Sequence, residues 1–182
     1  DLIVSANRTW IEYLEAHGYI SPGTIRLIAG NSLVVIAGAD SDSPDLNFET
    51  TLPGSFKHMN FAMGDPAYVP VGRYTKMVLD SLGWYKGLKE RAILAKDVSS
   101  VLHLVEMGAC DWGVVYRSEA MQSENVRIIA EIPDSLHEPI HFYLASLRDH
   151  HEGTHALADL YAGSKGDAIL LKYGFTGGKE EG

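Results

Sequence analysis

At 182 residues and 46% hydrophobic content, the chain is long enough for one full domain and part of a second. Fifteen Lys and Arg against 24 Asp and Glu give a formal net charge of -9. That balance repels a phosphate backbone and no basic stripe offsets it, which argues against nucleic acid as a partner. No apolar run approaches the roughly 18 residues of a transmembrane helix, and one cysteine, Cys110, excludes an internal disulfide and a Cys-rich metal site.

Asp1 to Ser5 already read as a buried strand, without initiator Met, charged leader or apolar leader, so the chain is expected to begin in mid-fold. Trp10, Ile11, Tyr13 and Leu14 follow at helical spacing, ended by His17-Gly18. Leu33 to Ala37 is a continuous β-branched run, the pattern of a strand covered on both faces, and Ser41 to Pro44 is a polar loop. A strand around Phe61 ends in Gly64-Asp65-Pro66. A helix then runs from Pro70 or Val71 to about Leu82, with Tyr74, Val78 and Leu82 on its inner side. A second helix spans Val98 to about Met107, carries Val101, Leu102 and Val105 inward, and stops at Gly108.

Trp112 to Tyr116 reads as a short buried strand and Ser118 to Met121 as a brief helix. Strands are expected over Val126 to Ile132 and Ile140 to Ala145, then a helical region from His155 to Leu171 interrupted near Gly163-Ser164, then a frayed tail from Gly177. Strands alternating with helices predict parallel α/β layers with crossover helices. Residues 33–130 make a central α/β domain, and residues 1–32 and 131–182 the remnant of a discontinuous outer domain.

Three places carry binding chemistry. At Gly64 to Tyr74 a strand turns into a helix opened by Pro70, which leaves the amides of Val71 and Gly72 at the helix's positive end, where anions bind. An ordinary proline-started helix explains the same residues. At Lys96-Asp97-Val98-Ser99-Ser100 the Asp97 carboxylate can cap the Ser99 and Ser100 amides and leave that of Val98 free, although a plain N-cap needs no ligand. Tyr116 stands at the C-terminal end of a strand, where open α/β sheets bind ligands; its phenol can donate one hydrogen bond or simply be a partly buried aromatic.

Together, Gly64-Asp-Pro-Ala-Tyr-Val-Pro-Val-Gly-Arg-Tyr74, Asp97-Val98, Gly113-Val-Val-Tyr116 and Lys172-Tyr-Gly-Phe175 resemble the periplasmic molybdate-binding proteins of ABC importers. So do Leu2 to Ala6 with Trp10, and Gly30 to Val35, in the family's order along nearly the whole chain. The resemblance implies a periplasmic-binding-protein type II-like α/β fold, two domains with a hinge, closing over a tetrahedral dianion, the N-terminal domain here incomplete. It implies a non-enzymatic receptor for molybdate or tungstate, periplasmic or extracytoplasmic, with no cofactor and a membrane permease as partner. Of the family's donors, the two amides fall to Val71 and Val98 and the phenol to Tyr116. The two family serines fall upstream of Asp1, so oxyanion binding by this chain is expected to be weak or absent. The family usually has a smaller residue at Val71, which bears on pocket width. An uncovered sheet edge would invite a dimer.

A site of neutral donors suits a fully deprotonated ligand, because a protonated phosphate oxygen would meet another donor. This favours molybdate, tungstate or sulfate over phosphate. Three rivals are weaker. Cys110 with His103 could act as nucleophile and base, but Asp111 beside the thiol would raise its pKa. His150, His151 and His155, with His137 and His141 upstream, lack a Cys or carboxylate to complete a metal site. A ligand-sensing effector domain of a regulator would normally add a basic DNA-binding segment, which these residues do not contain.

Overall fold

The structure is a computed structural model that describes residues 1–6, 8–48, 54, 56–149 and 151–178. In chain order its elements are β1 (Leu2–Ser5), α1 (Arg8–Ala16), β2 (Arg26–Asn31), β3 (Leu33–Gly38), β4 (Phe61–Gly64), α2 (Pro70–Ser81), α3 (Tyr85–Leu88), β5 (Ala92–Ala95), α4 (Val98–Glu106), β6 (Trp112–Tyr116), α5 (Arg117–Ala120), β7 (Val126–Glu131), β8 (Ile140–Ser146), α6 (Gly153–Tyr161), α7 (Ser164–Lys172) and β9 (Thr176–Gly177), with three short 3-10 turns between them. The chain divides into two compact units, Asp1–Asn31 with Pro139–Gly182, and Ser32–Glu138. Residues 131–138, grouped by sequence with the outer segment, lie in the second unit, where the Ile132 amide donates to the Leu33 carbonyl at 3.0 Å.

The first unit is built on a four-stranded sheet in the order β1-β8-β2-β9. All its pairings are antiparallel, so the expected parallel layer is wrong here. The reason is topological: β8 returns from far along the chain and inserts between β1 and β2. Alternation along β8 then splits the core, with Tyr143 and Ala145 packing with Ile11 and Ile20, and Leu144 packing with Ile28 and Ala158. β1 is an edge strand that pairs with β8 alone among the described strands.

The second unit holds a five-stranded sheet in the order β5-β4-β6-β3-β7. Here β4 is parallel to both β5 and β6, as expected, while β3 runs antiparallel to β6 and β7. β3 is buried along its whole apolar run because both faces are covered. Val34 and Ile36 join Val101 and Val105 of α4, whereas Val35 faces Thr75, Val78 and Leu79 of α2 around a small apolar cavity. Trp112 anchors the strand start, stacked on Phe61 with ring centroids 4.4 Å apart and edge-on to Phe56. Tyr74 and Leu82, expected on the inner face of α2, are only half-buried; Val71, Gly72, Thr75, Val78 and Leu79 form that face.

Candidate functional site: the C-terminal edge of the central sheet

Strands β5, β4 and β6 are adjacent and parallel, so their C-terminal ends share one edge of the sheet. Helix α2 follows β4, helix α4 follows β5, and Tyr116 ends β6. The three candidate residues, which the sequence scatters over 46 positions from 71 to 116, therefore come from the same edge. This is where open α/β sheets hold ligands.

The start of α2 is made by close approach. A β-carbon on Gly72 would stand 2.0 Å from the Gly64 carbonyl oxygen, and one on Gly64 would stand 2.9 Å from Val71 Cγ1. Only glycine at both positions lets the first helical turn sit directly on the strand end. Asp65 builds the turn between them: its Oδ1 accepts from the Ala67 amide at 2.9 Å and its carbonyl from the Val69 amide at 2.8 Å. Pro70 has no N–H, and the Gly72 and Arg73 amides both donate to the Val69 carbonyl, at 3.0 and 3.1 Å. That leaves the Val71 amide as the donor of this turn without an acceptor among the described residues. The Val71 side chain is 1% exposed and packs toward Gly64, so its size is absorbed by the strand end.

The start of α4 is made by a cap. Asp97 is extended, at φ -160° and ψ 170°, and its carboxylate accepts from the Ser100 amide at 2.7 Å. Its carbonyl takes the Val101 amide at 3.3 Å. The expected second bond from Ser99 is not made, so the Val98 and Ser99 amides both lack an acceptor among the described residues. Ser99 instead donates its hydroxyl to Glu119 at 2.7 Å. The hydroxyl and then the amide of Ser100 hold the Asp97 carboxyl below the usual aspartate range. Gly113 on β6 lets α4 settle, since a β-carbon there would stand 2.9 Å from Val105 Cγ2.

Tyr116 is half-buried at the end of β6, paired across from Leu33. Burial first, then the neighbouring Tyr74 phenol, pushes its hydroxyl well above the usual tyrosine range, while Arg73 opposes the shift. The hydroxyl is therefore a donor at any physiological pH. Burial also raises Tyr74, with Glu138 adding and Arg73 opposing. The Tyr74 ring meets His137 edge-on at 5.9 Å. His137 has its side chain 1% exposed, its Nδ1 2.8 Å from the Glu138 carbonyl oxygen, and its buried Nε2 without a hydrogen bond among the described residues.

Sequence reasoning included Tyr74 in the α2 run but missed His137 beside it, because a contact between residues 74 and 137 leaves no local signal. The other sequence candidates lie elsewhere. Cys110 is buried in the α4 face of the core, its thiol raised by burial and then by Asp111, whereas His103 is exposed beside Glu106. His151 and His155 are exposed, His141 is on β8, and His150 lies outside the described residues. No metal-ligating cluster forms among the described residues.

Residues 1–176 match the family of bacterial extracellular solute-binding proteins. Molybdate-binding protein ModA of Escherichia coli is 33% identical over 179 residues, covering 97% of this chain and 70% of the relative. ModA of Haemophilus influenzae is 31% identical over 181 residues, with the same coverage. The substrate-binding domain of a molybdenum ABC transporter from Clostridium difficile shares the fold, with a TM-score of 0.86 at 23% identity over 98% of this chain and 77% of that one. The Azotobacter vinelandii periplasmic molybdate-binding protein does so at 0.73 and 22% identity over 97% and 78%. The family model and the relatives agree: the chain belongs to the bacterial extracellular solute-binding proteins, a non-enzymatic family that works outside the cytoplasm, with the molybdate-binding proteins among its members.

Proposed function

We propose that this chain captures molybdate, or the isosteric tungstate, as the receptor of an ABC importer, and delivers it to the membrane permease of that system. The oxyanion is the transported ligand, not a cofactor. Its donors in this chain are the main-chain amides of Val71 and Val98 and the hydroxyl of Tyr116. The observation that carries the reading is the shared edge: two helix-start amides without acceptors and one phenol held protonated, at the ends of three adjacent parallel strands. Helix-end amides bring partial positive charge to the ligand, which is how a chain of net charge -9 binds a dianion. The ModA relatives supply the identity of the anion.

Calorimetric titration with molybdate, tungstate, sulfate and phosphate tests this. The expected order is molybdate and tungstate, then sulfate, with no phosphate at neutral pH; the low affinity expected from the sequence concerns the strength of binding and not this order. A preference for phosphate, or equal binding of all four, sinks the proposal. The same reading includes association of two copies along the edge strand β1; light scattering showing a monomer at every concentration removes that part alone.

A further inference from the structure

We propose that Ser99 and Glu119 are positioning residues of this site: the hydrogen bond between them sets the spacing of the Val98 amide and the Tyr116 hydroxyl, and so the size of tetrahedral dianion that both can reach. The inference rests on the molybdate reading above and deepens it, by naming residues that select molybdate over the smaller sulfate.

The need for such a strut follows from the sheet. Val98 opens the helix after β5 and Tyr116 ends β6, but β4 lies between those two strands. β4 in turn pairs with β6 at Phe61–Trp112 and Ala62–Gly113 and not at Tyr116. Among the described residues, therefore, no ladder of main-chain hydrogen bonds joins the two donor-bearing ends. A side-chain bond does. The Ser99 hydroxyl, one residue after Val98, donates to Glu119 Oε1 at 2.7 Å, and Glu119 follows Tyr116 within the single turn of α5. That turn is itself anchored: the Arg117 amide donates to the Ser32 carbonyl at 2.9 Å, and the Arg117 guanidinium pairs with Glu131 of β7.

A second bond of the same kind supplies the comparison. At the far end of α4, Glu106 Oε1 accepts from the Ser123 hydroxyl at 2.5 Å. Between the two ties, Val101 and Val105 pack with Ala120 of α5 in one core cluster, which holds the body of the helix. The first turn is held less by packing, since Val98 is only partly buried and Ser99 is exposed, so there the hydrogen bond decides the position. Charge cannot be its purpose, because a carboxylate near the donors weakens dianion binding.

The test is calorimetry with molybdate and with sulfate, each taken to millimolar excess, on the chain and on its Ser99→Ala, Glu119→Ala, Glu119→Gln and Ser99→Ala/Glu119→Ala variants, with Ser123→Ala as control. The substituted side chains lie at the surface, so the variants are expected to fold, and their melting temperatures check it. Ser99→Ala and Glu119→Ala should each lower the molybdate-to-sulfate affinity ratio about 3-fold, and the double variant no further, since each single change removes the same bond. Glu119→Gln keeps an oxygen that accepts the Ser99 hydroxyl and should keep the ratio of the unmodified chain. Ser123→Ala should lower the melting temperature and leave the ratio alone. An unchanged ratio in both alanine variants, or an equal shift in Ser123→Ala, overturns the assignment and leaves the molybdate reading standing. Glu119→Gln behaving as Glu119→Ala overturns it too, because charge and not the hydrogen bond would then act. No saturable molybdate binding by the unmodified chain overturns both.

Discussion

Helices α2 and α4 start at the same sheet edge and both leave amides without acceptors, yet they are built by opposite means. At α2 the backbone is pressed onto β4, with glycines at 64 and 72 where any β-carbon would collide, no side-chain cap, and a cation in place of the usual acid. At α4 a carboxylate caps the helix, taking the Ser100 amide and leaving those of Val98 and Ser99. The first start is fixed by shape, and the Asp65 carboxylate serves the turn before the helix. The second is fixed by a hydrogen bond, and its cap brings a negative charge close to the donors. The pair shows that a free helix-start amide can be secured by either route, with different sensitivity to mutation and pH.

The sharpest way to break the comparison is at Gly72. Gly72→Ala forces a methyl to within 2.0 Å of the Gly64 carbonyl oxygen, so α2 must shift, and we expect about 3 kcal/mol lost in chemical denaturation together with molybdate binding. Gly87, where a β-carbon meets nothing within 4 Å, is the control and should tolerate alanine. If both substitutions are equally mild, α2 is not seated by close approach.

Next in size is Val98→Pro, which removes one N–H and alters a side chain partly packed against the core under α4. Proline suits the first helical position, and the extended Asp97 already has the backbone that proline demands of the residue before it. Molybdate affinity should fall about 10- to 100-fold, the range for a hydrogen bond to a charged group, whereas Val98→Ala, which loses the same packing and keeps the N–H, should hold its affinity. Full affinity in a folded Val98→Pro variant would remove Val98 from the site. Tyr116→Phe should cost about 10-fold in affinity. Because the Tyr116 pKa is raised in the fold, its contribution to stability is full below the ordinary tyrosine value of about 10 and is lost as pH rises beyond it toward the folded value. The absorbance difference between the chain and Tyr116→Phe should therefore show one phenol ionising later than the rest; an ordinary titration would place Tyr116 in open solvent.

The smallest effect belongs to the α4 cap. The Asp97 carboxyl is held low in the fold, so its stabilisation is present above the ordinary aspartate value of about 3.9 and is lost as pH falls through the folded value. Asp97→Ala should lower the melting temperature slightly at neutral pH, and the two curves should converge in acid. A gap that persists at low pH would mean that the carboxylate is not the cap.

Much of the central unit was legible in sequence because its signals are local. The apolar run of β3, the proline start of α2, Asp97 before α4 and the glycine after it set boundaries within a residue or two of those observed. β5 escaped notice: its four residues carry no usable period, and as an edge strand it leaves Leu94 exposed. β2 went unread because Arg26 to Asn31 mixes polar ends with glycine. Strand direction was the larger miss, since antiparallel insertion of β8 between β1 and β2 is a pairing between distant residues. For the site, helix starts are written in adjacent residues and could be read. The neighbourhood of Tyr116 with Tyr74, and of Tyr74 with His137, is assembled by packing and could not.

The central claim is that main-chain amides at two helix starts hold the oxyanion. The most direct measurement is an amide-resolved nitrogen–proton NMR titration of the chain with molybdate. The account predicts that the Val71 and Val98 amide protons move downfield together and saturate with a single dissociation constant, while Gly72 and Arg73, already bonded to Val69, move less. Saturable binding that leaves Val71 and Val98 unmoved would contradict it.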